Sequence, residues 1–380
     1  MSLEQAHDAE ISWAYGMQRV GRVMQQIHGG NIYEMSQRYK LRADAIIDFS
    51  SNINPLGPSP RVLRVLRSHL RWVSRYPEMH AESLGRDLAR FHDLPEDTIV
   101  VGNGSTALIY RLPFALLPKS VLVLHPTFSE YERAFGLGGC RIDLSMRQES
   151  KAFRPPWQKL FEGLRRGYNA VMLCNPNNPT GDVIAKEPLT EFVEEAARLG
   201  TVVIVDEAFM DFHEEATLKH EVLRRSNLIV LRSLTKCYAL AGLRLGFLVA
   251  SPPLAKRVRE ADEPWSVGAL AQMAGRESLK DRNYLRRTLA LITTERQYLM
   301  AGLQEISGLR TYPAVANFLL LMIVQPGWDA ARLQQGLIRH GILIRDCSSF
   351  PGLGGGFIRI AVRGRKDNTQ LLKALQAVLG

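Results

Sequence analysis

Short, almost wholly apolar runs recur along the middle of this chain, and they constrain its fold more than any other feature. Five of them are "SVLVLHP" at 120–126, "NAVMLCNP" at 169–176, "TVVIVDE" at 201–207, "NLIVLRS" at 227–233 and "GFLVASP" at 246–252. Helical patterns such as "EPLTEFVEEAARLG" at 187–200 separate most of these runs. Buried apolar strands that alternate with amphipathic helices indicate an α/β fold with a mostly parallel, helix-covered sheet.

Polar motifs follow several of these runs directly. They are "NPNNPTG" after residue 174, "DEAF" from residue 206 and "SLTK" after residue 232. In parallel sheets of this kind, ligands bind at the carboxyl ends of the strands. We therefore expect the functional site at that edge of the sheet.

The pattern changes near residue 265, where long helical stretches rich in arginine begin. Three short apolar runs follow them, namely "NFLLLMIV" (317–324), "GILIRDC" (341–347) and "GFIRIAV" (356–362). This change predicts a large α/β domain over residues 59–262 and a smaller α+β domain over residues 263–380. An N-terminal segment, residues 1–58, is predicted to pack with the smaller domain.

The composition, at 46% hydrophobic and 23% charged residues, is that of an ordinary globular protein. No apolar run is long enough for a transmembrane helix, and the first residues lack the apolar segment of a secretory signal. The four cysteines lie far apart, which argues against a metal site or a disulfide framework. We expect a cytoplasmic protein without a metal ion or a membrane partner.

The formal net charge of +10 leaves two kinds of partner open, a nucleic acid or a small anion. The arginines are scattered and alternate with apolar residues, as on the solvent face of an amphipathic helix. We therefore expect no nucleic-acid partner. A basic nucleic-acid module and a non-catalytic, cofactor-binding regulator are the alternatives from other classes, and no DNA-binding domain is visible for either.

One lysine, Lys236, stands within the mostly apolar stretch "SLTKCYALAGLRLGF" at 233–247. Apolar surroundings disfavour the charged amine and lower its pKa, so such a lysine can react with an aldehyde cofactor to form a Schiff base. Taken alone, Lys236 reads more simply as a surface lysine whose stem covers apolar groups. Its neighbouring motifs favour the reactive role.

Two of these motifs suit a phosphate group. The stretch "VVGNGSTALIYRL" at 100–112 places glycines and hydroxyl residues before a helix, whose first backbone amides bind anions. Taken alone, this loop is equally well explained as an ordinary helix cap. Arg244 and Ser233 could hold the same phosphate through a guanidinium and a hydroxyl group.

Three further residues suit a flat, nitrogen-containing ring. Asp206 ends an apolar strand, where a carboxylate needs a partner such as a protonated pyridine nitrogen. Asn178 offers an amide to a ring hydroxyl. Phe128 could stack on the ring, although a lone aromatic residue is more often part of a core.

The order of the motifs, GST, NPTG, D-x-A, SxxK and then an arginine eight residues beyond the lysine, resembles the fold-type I aminotransferase superfamily. The resemblance covers nearly the whole chain and implies pyridoxal 5′-phosphate as cofactor. It implies that Lys236 bonds to the cofactor aldehyde, Asp206 pairs with the pyridine nitrogen, Asn178 binds the phenolic oxygen and Phe128 stacks. The residues implied to surround the cofactor phosphate are Gly104, Ser105, Thr106, Ser233 and Arg244.

Tyr76, in "SRYPE", resembles the tyrosine that reaches the cofactor phosphate of the neighbouring subunit in this superfamily. This likeness implies a homodimer.

Two families of the superfamily act on phosphorylated amines, the histidinol-phosphate aminotransferases and the threonine-phosphate decarboxylases. The stretches "IHGGNIYEMSQRY", "DFSSNINPLGPSP", "PWSVGALA" and "LIRDCSSFPGL" look more like the second family. Where the first family has a tyrosine in "DEAY", this chain has Phe209, which cannot donate a hydrogen bond. The resemblance implies decarboxylation of L-threonine O-3-phosphate to (R)-1-amino-2-propanol O-2-phosphate and CO₂ in cobalamin biosynthesis. The alternative is a histidinol-phosphate aminotransferase.

The same resemblance implies a phosphorylated amino-acid substrate, with His28, Asn52 and Arg345 around its phosphate and Arg359 at its carboxylate. Taken alone, His28 reads more simply as a turn or capping residue. Arg345 and Arg359 each lie in an apolar run, where an unpaired cation is costly. An anionic substrate would supply their partner.

Overall fold

The computed structural model of the chain describes residues 29–380, and the predicted site residue His28 lies outside them. Within the described residues, the strands form one sheet of seven, one of four and one of two. The strands in chain order are β1 (Ile47–Asp48), β2 (Ile99–Gly102), β3 (Ser120–His125), β4 (Arg141–Met146), β5 (Ala170–Cys174), β6 (Val202–Asp206), β7 (Leu228–Ser233), β8 (Gly246–Ala250), β9 (Leu309–Thr311), β10 (Phe318–Ile323), β11 (Ile342–Leu343), β12 (Arg345–Asp346) and β13 (Phe357–Ala361).

Helices connect most of these strands. In chain order they are α1 (Ile32–Tyr39), α2 (Pro60–Ser68), α3 (Glu82–His92), α4 (Gly104–Leu116), α5 (Glu130–Leu137), α6 (Trp157–Arg165), α7 (Lys186–Arg198), α8 (Leu234–Cys237), α9 (Pro252–Glu260), α10 (Ala269–Lys280), α11 (Arg282–Gln304), α12 (Ala330–Ile338) and α13 (Arg365–Leu379).

The seven-stranded sheet has the order β2-β8-β7-β6-β5-β3-β4. The pairs from β7 through β4 are all parallel, and β8 runs antiparallel to both of its neighbours, β2 and β7. The predicted α/β fold with a mostly parallel sheet is confirmed. The apolar runs did not reveal β4, because its side chains are largely exposed or half-buried at the edge of the sheet.

Helices cover both faces of this sheet because successive strand residues point to opposite sides. In β6, Val203 and Val205 pack in one core, and Ile204 packs in the other. In β5, Val171 and Met172 divide in the same way. Residues of α3, α6, α7 and α10 complete the first core, and residues of α4, α5 and α9 complete the second.

The four-stranded sheet is antiparallel in the order β12-β13-β10-β9, and it packs with α11, α12 and α13. The two-stranded sheet joins β1 to β11, with Ile47 opposite Ile342. Phe49, just after β1, lies in the core of this smaller part. The N-terminal part of the described chain therefore packs on its C-terminal part.

The division of the chain at residue 262 stays a prediction. Helix α10 packs on α2 and α3 and contributes Ala274 and Leu279 to a core of the large sheet. Farther along, Leu299 and Leu303 of α11 lie in the core of the smaller part. The side chains of α10 and of the later part of α11 therefore belong to different cores.

No helix within residues 29–380 is both long and apolar enough to cross a membrane. The cytoplasmic location stays a prediction.

Candidate active site

A cavity of about 570 Å³ lies at the carboxyl ends of the large-sheet strands, where residues of β12 and β13 face them. Parallel strands bring the polar residues that follow them to this edge. Eleven of the sequence-predicted residues line the cavity, namely Asn52, Ser105, Thr106, Phe128, Asn178, Asp206, Ser233, Lys236, Arg244, Arg345 and Arg359. Their roles stay predictions, but the structure brings them together from both ends of the chain.

Lys236 is carried by the short helix α8, which begins directly where β7 ends. The Ser233 side chain caps this helix by accepting a hydrogen bond from the Thr235 backbone N–H at 3.3 Å. Asn54 fixes the other end, because its backbone N–H donates to the Lys236 carbonyl at 3.1 Å and its side chain donates to the Cys237 carbonyl at 2.8 Å. The backbone of the lysine is thus held by the adjacent end of β7 and by one distant residue, Asn54.

The surroundings of Lys236 favour its neutral form. Burial is the largest cause, and the positive charges of Arg359 and Arg244 act in the same direction, so the pKa of Lys236 falls from 10.5 to about 8. Asp206 opposes this shift. The unprotonated fraction of the amine near neutral pH is therefore larger than that of an ordinary lysine, and a nucleophile must be unprotonated.

Asp206 is buried at the end of β6, and hydrogen bonds hold its carboxylate. The Tyr131 hydroxyl donates to its Oδ2 at 2.7 Å, and the Ala208 backbone N–H donates to its Oδ1 at 2.9 Å. Burial raises the pKa of Asp206, and these donors and the charge of Lys236 oppose the rise. Asp206 forms no ion pair within residues 29–380, so a protonated ring nitrogen would suit it.

The start of α4 is arranged to receive an anion. Gly104, the first residue of this 13-residue helix, has a φ of +80°, which favours glycine. A Cβ at Gly104 would lie only 2.9 Å from Nη2 of Arg244, so the missing side chain lets the guanidinium approach the positive end of the helix. Ser105 and Thr106 line the cavity, whereas Gly104 borders Arg244 without lining it.

Asn178 and Arg359 connect the two sides of the cavity. Arg359 donates from Nη1 to the side-chain oxygen of Asn178 and from Nη2 to the Ser50 carbonyl at 2.8 Å. The amide nitrogen of Asn178 then remains available to donate to a ring oxygen. Nε of Arg359 is buried and has no hydrogen-bond partner among the described residues.

Arg345 and Arg359 lie directly opposite each other in the antiparallel pair of β12 and β13. Both are 6% exposed, and neither forms an ion pair with a carboxylate of the described chain. Among the described residues, Arg345 donates a hydrogen bond only to the Ser349 hydroxyl, at 2.8 Å. Burial lowers the pKa of both groups, that of Arg359 to about 10. Like charges opposite each other on strands are destabilising, so this arrangement calls for an anion.

Asn52 adds an unsatisfied acceptor beside these cations. Its side chain is buried and lines the cavity, and its Oδ1 has no hydrogen-bond partner within residues 29–380. A buried acceptor without a donor is costly, so a bound ligand would stabilise it.

Besides Gly104, one sequence-predicted residue of the described chain does not line the cavity. Tyr76 is 82% exposed and packs on Trp265, with 4.7 Å between the ring centroids. Its exposure suits contact with a second subunit, which stays a prediction. His28 lies outside the described residues.

Sequence reasoning missed Tyr131, Ser349 and Thr235. Tyr131 is 75 positions from Asp206, so no local pattern links the two residues. Ser349 follows Arg345 in "RDCSS" and could have been found from that short spacing. Thr235 lies within "SLTK", and its hydroxyl shares a 2.7 Å hydrogen bond with that of Ser233.

The fold and the cavity define a class of protein. Residues 44–378 match the family model of aminotransferase class I and II, and the chain belongs to this family. Membership agrees with the predicted fold-type I architecture.

Among similar proteins, the threonine-phosphate decarboxylase of Salmonella typhimurium is 38% identical over 93% of this chain and 96% of its own length. The histidinol-phosphate aminotransferase of Methanothermobacter thermautotrophicus is 30% identical over 94% of this chain and 95% of its own length. The crystal structure of the histidinol-phosphate aminotransferase from Clostridium acetobutylicum superposes with a TM-score of 0.81 and 29% identity, covering 87% of this chain and 98% of that one. Both chemistries therefore occur among similar chains.

Family membership confirms the predicted cofactor, pyridoxal 5′-phosphate. The cavity fits this group on three observations. The glycine at the start of α4 lets the Arg244 guanidinium lie beside the first turn of this helix, Asp206 has no ion-pair partner within the described residues, and the pKa of Lys236 is lowered to about 8.

Proposed function

We propose that this protein decarboxylates L-threonine O-3-phosphate to (R)-1-amino-2-propanol O-2-phosphate and CO₂, in cobalamin biosynthesis. The observation that carries the proposal is the pair of buried guanidinium groups, Arg345 and Arg359, that lie opposite each other without a carboxylate partner in the described chain. A substrate with both a phosphate and a carboxylate would neutralise the two. Histidinol phosphate has only the phosphate.

In this proposal Arg345 and Asn52, together with His28, bind the substrate phosphate, and Arg359 receives the carboxylate. Arg359 is held by Asn178 and by the Ser50 carbonyl, so its position is defined before the substrate binds. Preorganised charged donors bind anions more strongly than mobile ones, because less side-chain entropy is lost on binding. The two arginines thereby fix which bond of Cα faces the ring.

The cofactor would be held by Ser105, Thr106, Ser233 and Arg244 at its phosphate, by Asp206 at its pyridine nitrogen and by Asn178 and Phe128 at its ring. When bound, pyridoxal 5′-phosphate supplies a conjugated ring that accepts the electron pair of the bond that breaks. An ionised Asp206 stabilises positive charge on the pyridine nitrogen.

Lys236 has two roles in sequence. Its unprotonated Nζ would hold the cofactor through the aldehyde group, with release of water, and would be free again once the substrate amine occupied that position. The Cα–carboxylate bond breaks, CO₂ leaves with the carboxylate oxygens, and the electron pair stays with the Cα side. The proton that Cα requires comes from Nζ of Lys236, the titratable amine that lines the cavity.

The second candidate is the histidinol-phosphate aminotransferase reaction, which the similarity to chains of that name favours. Phe209 argues against it. Its ring packs edge-on against Phe318, with 4.9 Å between centroids, and lies 5.8 Å from Nζ of Lys236. At this position the chain offers no hydroxyl group to the cofactor.

The test is a product analysis of purified protein mixed with pyridoxal 5′-phosphate and L-threonine O-3-phosphate, without a 2-oxo acid. We expect CO₂ and 1-amino-2-propanol phosphate in equal amounts. Histidinol phosphate with 2-oxoglutarate is the comparison substrate, and serine phosphate tests whether the methyl group matters. Conversion of histidinol phosphate with no loss of CO₂ from threonine phosphate would establish the second candidate instead.

We also propose that the protein is a homodimer in which Tyr76 reaches the cofactor phosphate of the partner. Tyr76 packs on Trp265, and several apolar side chains close to Tyr76 in sequence are exposed in the single chain as well. They are Leu70, Trp72, Val73 and Met79, of which Val73 is 74% exposed. A group of exposed apolar side chains of this kind is typical of an interface.

A further inference from the structure

A buried ionic cluster lies at the ends of β6 and β7, on the face of the sheet that points away from the cavity. Arg232 is its centre and is 1% exposed. Its Nη2 donates to Asp211 at 2.8 Å and to Glu214 at 2.7 Å, and its Nη1 lies 3.3 Å from Glu207 and from Thr217. The proposed mechanism uses none of these five residues.

The pleat of the strands places this cluster next to the candidate catalytic groups. Glu207 directly follows Asp206, and Arg232 directly precedes Ser233, so each pair points to opposite faces of the sheet. Asp206 and Ser233 line the cavity, whereas Glu207 and Arg232 do not. Because one peptide unit joins each of these cluster residues to its neighbour in the cavity, a shift of the cluster would also move Asp206 and Ser233.

Arg232 also holds both ends of the segment 207–214, which contacts the cavity. Between these ends, the Ala208 N–H donates to Asp206, and the Phe209 ring lies against Lys236 and Phe318. The segment thus joins the carboxylate, the lysine and the four-stranded sheet. Glu207, at the start of the segment, is itself held in place, because its carboxylate accepts hydrogen bonds from the Thr217 hydroxyl and from the Leu218 N–H.

We propose that Arg232 is a positioning residue, which sets the geometry of Asp206 and Lys236 by clamping segment 207–214 to the end of β7. This inference rests on the roles proposed above for Asp206 and Lys236, and it does not depend on the choice of substrate.

The charges of the buried cluster explain why an arginine is required at position 232. Two cations, Arg232 and Lys219, meet three carboxylates, those of Glu207, Asp211 and Glu214. Burial raises the pKa of Glu207 to about 7, and burial lowers the pKa of His92, which contacts Lys219, well below its usual value. A guanidinium group can reach several carboxylates with its fixed fork of donors, whereas an ammonium group acts as one point charge.

The experiment compares Arg232→Lys with Arg225→Lys. Arg225 lies just before the opposite end of β7 and also pairs with two carboxylates, those of Glu221 and Glu194, so it is a matched control. The first readout needs no substrate: cofactor-free protein is mixed with pyridoxal 5′-phosphate across a pH series, and absorbance reports bond formation at Lys236. The second readout is steady-state kinetics on whichever substrate is turned over.

For Arg232→Lys we expect a shifted pH midpoint of cofactor capture and a kcat about ten- to a hundredfold lower. KM should change less than about threefold, because the substrate arginines are untouched. Arg225→Lys should match the wild type in both readouts. If Arg232→Lys folds and both its midpoint and kcat equal those of the wild type, Arg232 is only structural and the proposal is wrong.

Asp211→Asn covers the case in which Arg232→Lys does not fold. This variant removes one charge from the clamp and leaves the arginine in place. We expect the pH midpoint of cofactor capture and kcat to change in the same directions as in Arg232→Lys, with kcat lower by about threefold to tenfold. Wild-type values for a folded Asp211→Asn protein, together with loss of folding in Arg232→Lys, would also reduce Arg232 to a structural residue.

Discussion

The cavity has a large-sheet wall, which carries Asp206 and Lys236, and a small-sheet wall, which carries Arg345 and Arg359. The two walls differ in how their charged groups are paired. On the large-sheet wall, Asp206 accepts hydrogen bonds from Tyr131 and Ala208, and the turn that carries Lys236 is held by Asn54. On the small-sheet wall, Arg345 and Arg359 face each other with no carboxylate from the described chain. The chain thus orients the first wall by itself and leaves the second to be completed by a ligand.

This difference predicts which wall determines the reaction and which determines the choice of substrate. Groups that the protein holds in fixed positions suit bond breaking, which requires preorganisation. Cations that lack a carboxylate partner in the described chain suit selection among anionic substrates, because the substrate removes their repulsion. We expect substitutions on the large-sheet wall to affect the reaction and those on the small-sheet wall to affect substrate choice.

The largest expected effect is that of Lys236→Ala on the large-sheet wall. We expect no turnover and no covalently bound cofactor, because no other amine would be correctly placed. Borohydride reduction of the wild type, followed by peptide mapping, should find the cofactor on Lys236. Lys186→Ala, at a partly exposed lysine paired with Glu221, is the control and should keep full activity. Labelling of a different lysine would contradict the assignment.

Asp206→Asn should have the next largest effect. A neutral amide would no longer stabilise positive charge on the cofactor nitrogen, so we expect the barrier to rise by about 3 kcal/mol, roughly a hundredfold in kcat. Cofactor binding, measured by absorbance titration, should persist. Near-normal turnover would show that Asp206 serves only the fold.

Arg345→Ala tests the small-sheet wall. Loss of one charge-assisted contact in a buried site should lower kcat/KM for the phosphorylated substrate about ten- to a hundredfold. The affinity for pyridoxal 5′-phosphate should stay within about twofold of the wild type, because Arg345 lies on the other wall. An equal loss of cofactor affinity would mean that the two walls do not act separately.

The pH dependence of cofactor capture tests the coupling between the walls. The pKa of Lys236 is lowered to about 8, so its amine is mostly protonated and unreactive below that pH and becomes neutral above it. The rate of capture by the cofactor-free protein should therefore rise about tenfold per pH unit up to the pKa and then level off. Because the charge of Arg359 contributes to the low pKa, Arg359→Gln should move the midpoint upward. An unchanged midpoint in that variant would show that the walls are electrically independent.

Tyr76→Phe tests whether the large-sheet wall of each active site also needs a residue of the partner subunit. If the hydroxyl reaches the partner's cofactor phosphate, its loss should weaken cofactor binding by about tenfold or less, because one hydrogen bond to a charged group is removed. The fold should be unaffected, since Tyr76 is exposed in the single chain. Light scattering should report a dimer, and a monomer that is active at the assay concentration would contradict the proposal.

Much of the large sheet was predictable because its strands are buried on both faces and therefore read as continuous apolar runs. Each run led to a strand within two residues of the expected bounds, as for Ser120–His125. The edge strand Arg141–Met146 escaped notice because its side chains are mostly not buried. Site residues in local motifs, such as Ser233 and Lys236, were found because they lie three positions apart, at the end of β7 and in the helix that follows it.

The sequence by itself determined the order of the motifs, the apolar strands and the presence of a lysine and an aspartate at strand ends. Tertiary structure alone decided that Tyr131 bonds to Asp206 and that Arg345 stands opposite Arg359 across two strands. The physical reason is that local patterns follow the periodicity of the backbone, whereas these contacts depend on strand register and helix packing. Contacts of that kind join residues far apart in the chain, and no spacing in the sequence records them.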